Sequence, residues 1–273
     1  DWISAHSMMP VLRTRIDGDK IIWYLSPGAV LDLKVLLQGP LLGNGKAMST
    51  YAQLDTDYNS YFFECKLPNT DPYGIGATCS NICDPTLVGD IVDWIRVDVV
   101  KLDLDAYTKT ILETKALLLR PDGTVVDTTG NLALYSGLPG ETVQLLISHR
   151  NHLPIFSQEI PHFNDTVTID FTESLDMAYN PSSMLPPQMT QNFISKKWSM
   201  SAGDFKLKGN DYGDGIIDNN DKSEFYNGFK NTVMNEYHSA DLNMDGIVDN
   251  NDNSVLYNNF KNTLMSFFYF FNF

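Results

Sequence analysis

Basic residues are scarce in this chain: 19 Lys and Arg stand against 34 Asp and Glu, a formal net charge of -15. With no basic cluster to offset the acidic field, a nucleic-acid or anionic-membrane partner is not expected. Long apolar runs are missing too. None approaches the roughly 20 residues of a membrane-spanning helix, so no membrane span is expected. The opening DWISAHSMMP lacks the basic start and apolar core of a signal peptide and fits a mature, processed chain. Cysteine is confined to Cys65, Cys79 and Cys83 in a loop-rich stretch. One local disulfide with a spare thiol fits a location outside the cell, and spacing leaves the pairing open. A zinc site would need a fourth ligand that the stretch does not offer.

Catalytic groupings are equally sparse. His149 and His152 in SHRNHLP lie three apart, so on a strand or strand end they point to opposite faces and make poor partners. A structural role at a strand turn is the better reading. His6, His162 and His238 have no neighbouring ligand pattern, and Ser136 in LYSGLPG lacks the GxSxG setting of a hydrolase elbow. Enzyme activity is not expected.

What the chain has is globular composition, 43% hydrophobic with 19% charged residues, and a dense acidic patch near its C-terminus. In DLNMDGIVDNND (241–252), oxygen-bearing side chains fall at positions 1, 3, 5, 9 and 12 (Asp241, Asn243, Asp245, Asp249, Asp252), with Gly246 at position 6. This is the spacing of an EF-hand-type calcium loop, in which Ile247 at position 7 gives its backbone carbonyl. Such carboxylates repel one another without the ion, so folding of the segment is expected to depend on metal. The segment DGIIDNNDKSEFYNGFKNT (214–232) repeats DGIVDNNDNSVLYNNFKNT (245–263) without a gap. Asp214, Ile216, Asp218 and Asp221 therefore line up as ligands of a second loop. Its first ligand is less plain: direct alignment offers Asn210 and Tyr212, whereas the likeness of SAGDF to SADL favours Asp204 with KLKGND inserted after it, and Asp211 stands as a substitute. Two calcium ions are the implied cofactors.

Each loop leads into a helical pattern, with Phe225, Phe229 and Val233, and then Leu256, Phe260 and Leu264, at four-residue spacing. No entering helix precedes either loop, which makes residues 201–265 similar to a dockerin module. Upstream, strand patterns occur at 19–26, 30–39, 90–100, 109–120, 124–129, 142–150 and 165–172, separated by turns such as RPDGT and LPGE. The expected fold is mainly β: an antiparallel, Ig-like β-sandwich with a small C-terminal α-helical module. Residues 1–29 read as an N-terminal strand segment, 30–172 as the sandwich with a long insertion at 40–89, and 173–200 as a linker. Trp23 and Trp94 are expected in the core, and Tyr51, Tyr58, Tyr61 and Tyr73 cluster in the insertion.

The run LDLKVLLQGP, LPNTDPYG, GDIVDWIRVDVV, ALLLRPDGTVVDTTG, LYSGLPGETVQLLISHRNHLPI and TIDFT, followed by SAGDF and the doubled DGIIDNND, resembles secreted bacterial haemagglutinin-like or adhesin-like surface proteins of type IX-secreting bacteria. The resemblance covers roughly residues 30–263. It implies a sandwich coupled to a dockerin-like calcium module and display outside the cell or on its surface. DTT and DTV are similar to O-glycosylation sites of that group, with Thr128 and Thr166 as acceptors. The tail MSFFYFFNF departs from the family pattern. Phe267, Phe268, Tyr269, Phe270, Phe271 and Phe273 place rings on both faces of an extended strand over 266–273, which must be buried. It can fill the edge of its own sandwich or enter the next subunit by β-strand addition, and two apolar faces tilt toward the second. The expected function is a calcium-stabilised extracellular structural subunit that assembles with itself into a filament or surface layer. The alternative is an adhesin or carbohydrate-binding module that meets surface glycans through the 40–89 insertion.

Overall fold

The structure, a computed structural model, describes residues 11–17, 20–26, 28–50, 65–84, 86, 90–138, 141–181, 188–205, 213–231, 233–234 and 236–271. An N-terminal hairpin pairs β1 (Val11–Asp17) with β2 (Lys20–Ser26). β3 (Gly28–Lys34) is central in a three-stranded sheet between β10 (Asp165–Asp170) and β7 (Ala133–Ser136). β4 (Asp93–Asp103) is central in a five-stranded antiparallel sheet of order β6-β5-β4-β8-β9. Its other strands are β5 (Thr108–Leu119), β6 (Val125–Val126), β8 (Gln144–His149) and β9 (His152–Phe156). The protein is thus mainly β with antiparallel sheets, with one exception: β10 runs parallel to β3.

One apolar core joins the two sheets. Leu31, Leu33, Tyr135 and Phe163 meet Ile95, Val97, Leu117, Leu145 and Ile147 in a single buried cluster. Residues of β4 from Asp93 to Val100 are buried on both faces, and the C-terminal tail packs on the second face at Val100. The tail is not the strand expected from its sequence. Phe267–Phe271 form a 3-10 turn folded into their own chain, where Phe267, Phe268 and Phe271 cluster with Val100, Leu146 and Phe156 on that face. The Phe156 ring lies 5.6 Å from Phe271 and 6.0 Å from Phe268. Lys109 Nζ donates to the Phe271 carbonyl at 2.9 Å and sits 4.6 Å from the Phe268 ring centroid. The turn buries Phe267, Phe268 and Phe271 on one face and leaves Tyr269 and Phe270 half-buried, so it accommodates an aromatic run without a second sheet. Phe273 lies outside the described residues.

The expected linker is also built in. Within 173–200, β11 (Met189–Gln191) pairs with β12 (Trp198–Met200), and Met189 and Met200 enter the main core. The insertion is moored at its second half: a disulfide joins Cys65 to Cys83, leaving Cys79 as a buried thiol. Asp71 accepts four backbone N–H bonds, from Tyr73, Ile75, Gly76 and Ala77, at 2.7–3.1 Å. Tyr73 is buried and donates to the Trp94 carbonyl at 3.0 Å, while Trp94 Nε1 donates to Pro68 at 2.8 Å. Tyr51, Tyr58 and Tyr61 fall outside the described residues, as do the side chains of β2, including Trp23.

Candidate metal centre and its mooring

The two repeats form α1 (Asn219–Lys230) and α2 (Asn250–Lys261), each opened by a capping box, Asp218 with Asp221 and Asp249 with Asp252. Among the described residues no helix is long and apolar enough to cross a membrane. Phe225 of α1 and Leu256 of α2 share a core with Phe205, Ile217, Leu242 and Val248. The repeats also cross-pair. Val248 N donates to the Val233 carbonyl and Ile217 N to the Leu264 carbonyl, both at 3.0 Å, and Ile247 bridges Met234 as Ile216 bridges Met265. Each loop is thereby closed by the segment that follows the other repeat's helix, and neither repeat completes its fold alone.

The C-terminal loop wraps around two fully buried carboxylates, Asp241 and Asp252. Asp241 accepts from Gly246 N at 2.9 Å and Asp245 N at 3.2 Å. Asp252 accepts from Leu242 N at 2.7 Å, Asn243 N at 3.1 Å and Asp249 N at 2.9 Å. Asn243 Nδ2 donates to Asp245 at 2.8 Å, and Asp245 accepts from Ile247 N at 2.9 Å. Gly246 makes the turn at φ +81, a conformation glycine adopts without strain.

Asp204 plays in the first loop the part that Asp241 plays in the second. It accepts from Gly215 N at 2.9 Å, while Asp221 accepts from Phe205 N and Asp218 N, both at 2.8 Å. Each of these three bonds has a counterpart in the second loop, although six inserted residues, 206–211 with Asn210 and Asp211 among them, separate Asp204 from the rest and lie outside the described residues. Asp204 Oδ1 is buried without a hydrogen-bond partner, and Gly213 packs so closely that a Cβ there would lie 1.8 Å from it.

Crowded carboxylates resist ionisation in this setting. Burial, with Asp252 and Asp245 nearby, pushes Asp241 up to about 7 against the pull of Arg150. Burial likewise pushes Asp221 up to about 7 and Asp252 to about 6, and raises Asp204, Asp214 and Asp245. Among the described residues, no three His, Cys, Asp or Glu side chains converge closely enough to ligate one ion. The carboxylates are spread onto backbone N–H donors instead. The donor set still fits a hard cation: every candidate ligand is an oxygen, one in each loop is a main-chain carbonyl, and Asp204 holds an unsatisfied oxygen toward its loop.

The SHRNHLP segment moors the module to the sheets. Sequence spacing placed His149 and His152 on opposite faces, but Arg150 and Asn151 form the tip of the β8–β9 hairpin, so the two histidines pair across it. Their Nδ1 atoms lie 3.0 Å apart. His149 Nε2 is 3.2 Å from Asp93, which also accepts from Arg150 Nε at 2.9 Å and the Tyr237 hydroxyl at 2.8 Å. The Arg150 guanidinium lies 4.2 Å from the Tyr237 ring centroid and donates to the His238 carbonyl. Burial pushes Asp93 upward, yet Arg150 and His149 outweigh it and hold it at about 2. Burial keeps both histidines below their usual range. Asn151 Nδ2 donates to the Ser239 carbonyl at 2.8 Å and to the Asp241 carbonyl at 3.1 Å, touching the first residue of the C-terminal loop itself. Gly39 completes the contact: a Cβ there would fall 1.6 Å from the Leu242 carbonyl.

Asp93, Arg150, Asn151 and Tyr237 were not singled out by sequence reasoning. The available signal was the polarity of SHRNHLP between two apolar strands, which surface exposure would explain equally well. Of the remaining candidates, Thr166 is exposed on the edge strand β10 and Thr128 is half-buried beside the Cys79 thiol, whose Sγ lies 3.8 Å from the Thr128 carbonyl. No protein-family model matches the chain, and comparison with curated proteins found no match.

Proposed function

We propose that this chain is a calcium-stabilised extracellular structural or surface protein: an Ig-like β-sandwich carrying a dockerin-like module that folds around two calcium ions. The observation that carries this reading is the doubled hydrogen-bond pattern of Asp204–Asp221 and Asp241–Asp252 around buried, hard-to-ionise carboxylates. Clustering acids in this way is unfavourable unless a cation neutralises them. Asp241, Asn243, Asp245, Asp249, Asp252 and the Ile247 carbonyl would hold one ion. Asp204, Asp214, Asp218, Asp221 and the Ile216 carbonyl would hold the other. Calcium outside cells is abundant enough to fill even weak sites of about 0.1–1 mM, and the Cys65–Cys83 disulfide favours the same compartment.

The packing of the tail bears on self-assembly. Phe267, Phe268 and Phe271 cover the chain's own sheet, so strand exchange through 266–273 would first have to expose that face. The intramolecular tail therefore favours a monomeric unit that is displayed or linked through other surfaces. The grouping of Asp93, His149 and His152 is fully buried, and Asp93 bonds Arg150 and the Tyr237 hydroxyl at the junction with the module. Titration calorimetry of calcium into chelator-stripped protein tests the reading. Two sites are expected, with Asp241→Asn abolishing one and Asp204→Asn the other. Absence of calcium heats in the wild-type protein would overturn it.

A further inference from the structure

We propose that a pocket beside the end of β3 and the 120–124 turn binds the ring of an acidic sugar, a function that stands independently of the calcium reading. The pocket encloses about 330 Å³, at the small end of the roughly 300–1,000 Å³ usual for ligand sites and suited to a single ring. Four separate segments build it: the end of β3 supplies Lys34, the 43–47 turn Lys46, the 120–124 turn Asp122, and the chain after β10 Asp170 and Glu173. The 192–197 turn closes it with Ser195 and Lys197.

The charges in this lining are not equally engaged. Lys197 pairs with Glu173. Asp122 is occupied by Thr124, whose N and Oγ1 both donate to it at 3.0 Å. Asp170 accepts through one oxygen from Thr172 N at 2.8 Å and Thr172 Oγ1 at 2.7 Å. Lys34 and Lys46 have no ion pair among the described residues. The site therefore offers two ammonium groups without an ion pair among three carboxylates, of which Asp170 keeps one oxygen clear of its bonds to Thr172. A bare inorganic anion gains from the lysines but is repelled by the three acids. An apolar ligand gains from neither. A molecule with one carboxylate and several hydroxyls uses both, because its carboxylate accepts from the lysines while its hydroxyls donate to the acids.

Two exposed apolar residues precede Ser195 on the turn that closes the pocket, outside its lining. Phe193 and Ile194, on the turn that carries Ser195, are 85% and 70% exposed, with Lys196 Nζ 4.4 Å from the Phe193 ring centroid. The turn that presents them is fixed. Asn192 Oδ1 accepts from Ile194 N at 2.9 Å and Ser195 N at 3.0 Å, and Gly45 packs beneath it so tightly that a Cβ would lie 2.4 Å from Asn192 Oδ1. A sugar ring has an apolar C–H face and a polar rim, which match the Phe193 ring and the Lys–Asp cup.

Saturation-transfer NMR and titration calorimetry on the intact, calcium-loaded protein test the proposal with methyl glycosides of glucuronic, galacturonic and N-acetylneuraminic acid, methyl glucoside as the neutral control and sodium acetate as a plain anion. At least one acidic glycoside should bind, more tightly than the neutral sugar. The paired substitution Lys34→Gln and Lys46→Gln should weaken it about tenfold, the scale expected for losing charge-assisted hydrogen bonds, with the thermal melt unchanged. Phe193→Ala, which removes an exposed ring and leaves the fold alone, should reduce transfer to the ring C–H protons. Absence of transfer from all three acidic glycosides overturns the proposal. So does an affinity indifferent to the lysine pair, or equal displacement by acetate, which would make the site a general anion trap.

Discussion

Replacing Asn151 with leucine isolates the mooring between the sheets and the module. The residue is fully buried, and its amide donates to the Ser239 and Asp241 carbonyls at 2.8 and 3.1 Å. Leucine is close in size, excludes water and has no donor, so both acceptors lose this partner. Losing a hydrogen bond to a buried acceptor costs about 1–3 kcal/mol, and the Ser239 bond is only part-buried, which puts Asn151→Leu at about 1–3 kcal/mol. At about 2–4 °C per kcal/mol for a chain of this size class, the calcium-loaded protein should melt at least about 2 °C lower by differential scanning calorimetry. Hydrogen exchange locates the damage: amides of 242–249 should lose protection while those of β4 and β5 keep theirs. Since the same amide touches Asp241, the first residue of the proposed calcium loop, affinity at that site should fall as well. A melting shift under about 1 °C, or protection lost evenly across both parts, would refute the mooring argument.

Other perturbations follow from the same geometry. Asp93→Asn leaves Arg150 buried beside a neutral group; breaking a buried pair in this way costs about 3–5 kcal/mol, read as a lowered denaturation midpoint with Tyr237 exposed to solvent. Wild-type Asp93 is held at about 2, below its unfolded value near 3.9, so its contribution is complete above about pH 4 and is lost as pH falls through 2. The loop carboxylates carry the opposite sign. With Asp241 and Asp221 pushed up to about 7, calcium-free protein should be most stable below pH 4 on their account and lose that contribution as pH rises through 7. Calcium, which competes with those protons, should reverse the slope in urea titrations at pH 5 and 8. Phe268→Ala opens a cavity under a fully buried ring and should cost about 3–5 kcal/mol while light scattering stays monomeric; dissociation of a polymer without loss of monomer stability would contradict the intramolecular tail.

Much of this architecture was legible because local pattern and tertiary role agree. Runs such as DWIRVDVV and DTVTID carry strand periodicity that the core rewards, and Asp241 to Asp252 announce their turn geometry through spacing and Gly246 alone. Asp204 was legible only through its repeat partner, since its loop is interrupted. The short strands Ala133–Ser136, His152–Phe156, Met189–Gln191 and Trp198–Met200 escaped because three to five residues give too little periodicity and their order comes from pairing. The 3-10 tail escaped for a different reason. An unbroken aromatic run has no period, so its conformation is set by the surface it covers, here Val100, Leu146 and Phe156. His149 and His152 were misplaced because a face rule for a continuous strand fails where the chain reverses between them.

The account rests most directly on calcium and the last quarter of the chain, and calorimetric melting with and without the ion addresses it. At 10 mM calcium and a dissociation constant of about 0.1 mM, each site adds about 2.7 kcal/mol, so two sites should raise the module's transition by about 10–20 °C over the EGTA-dialysed protein. An identical melting profile in the two conditions would contradict the assignment of these loops to calcium.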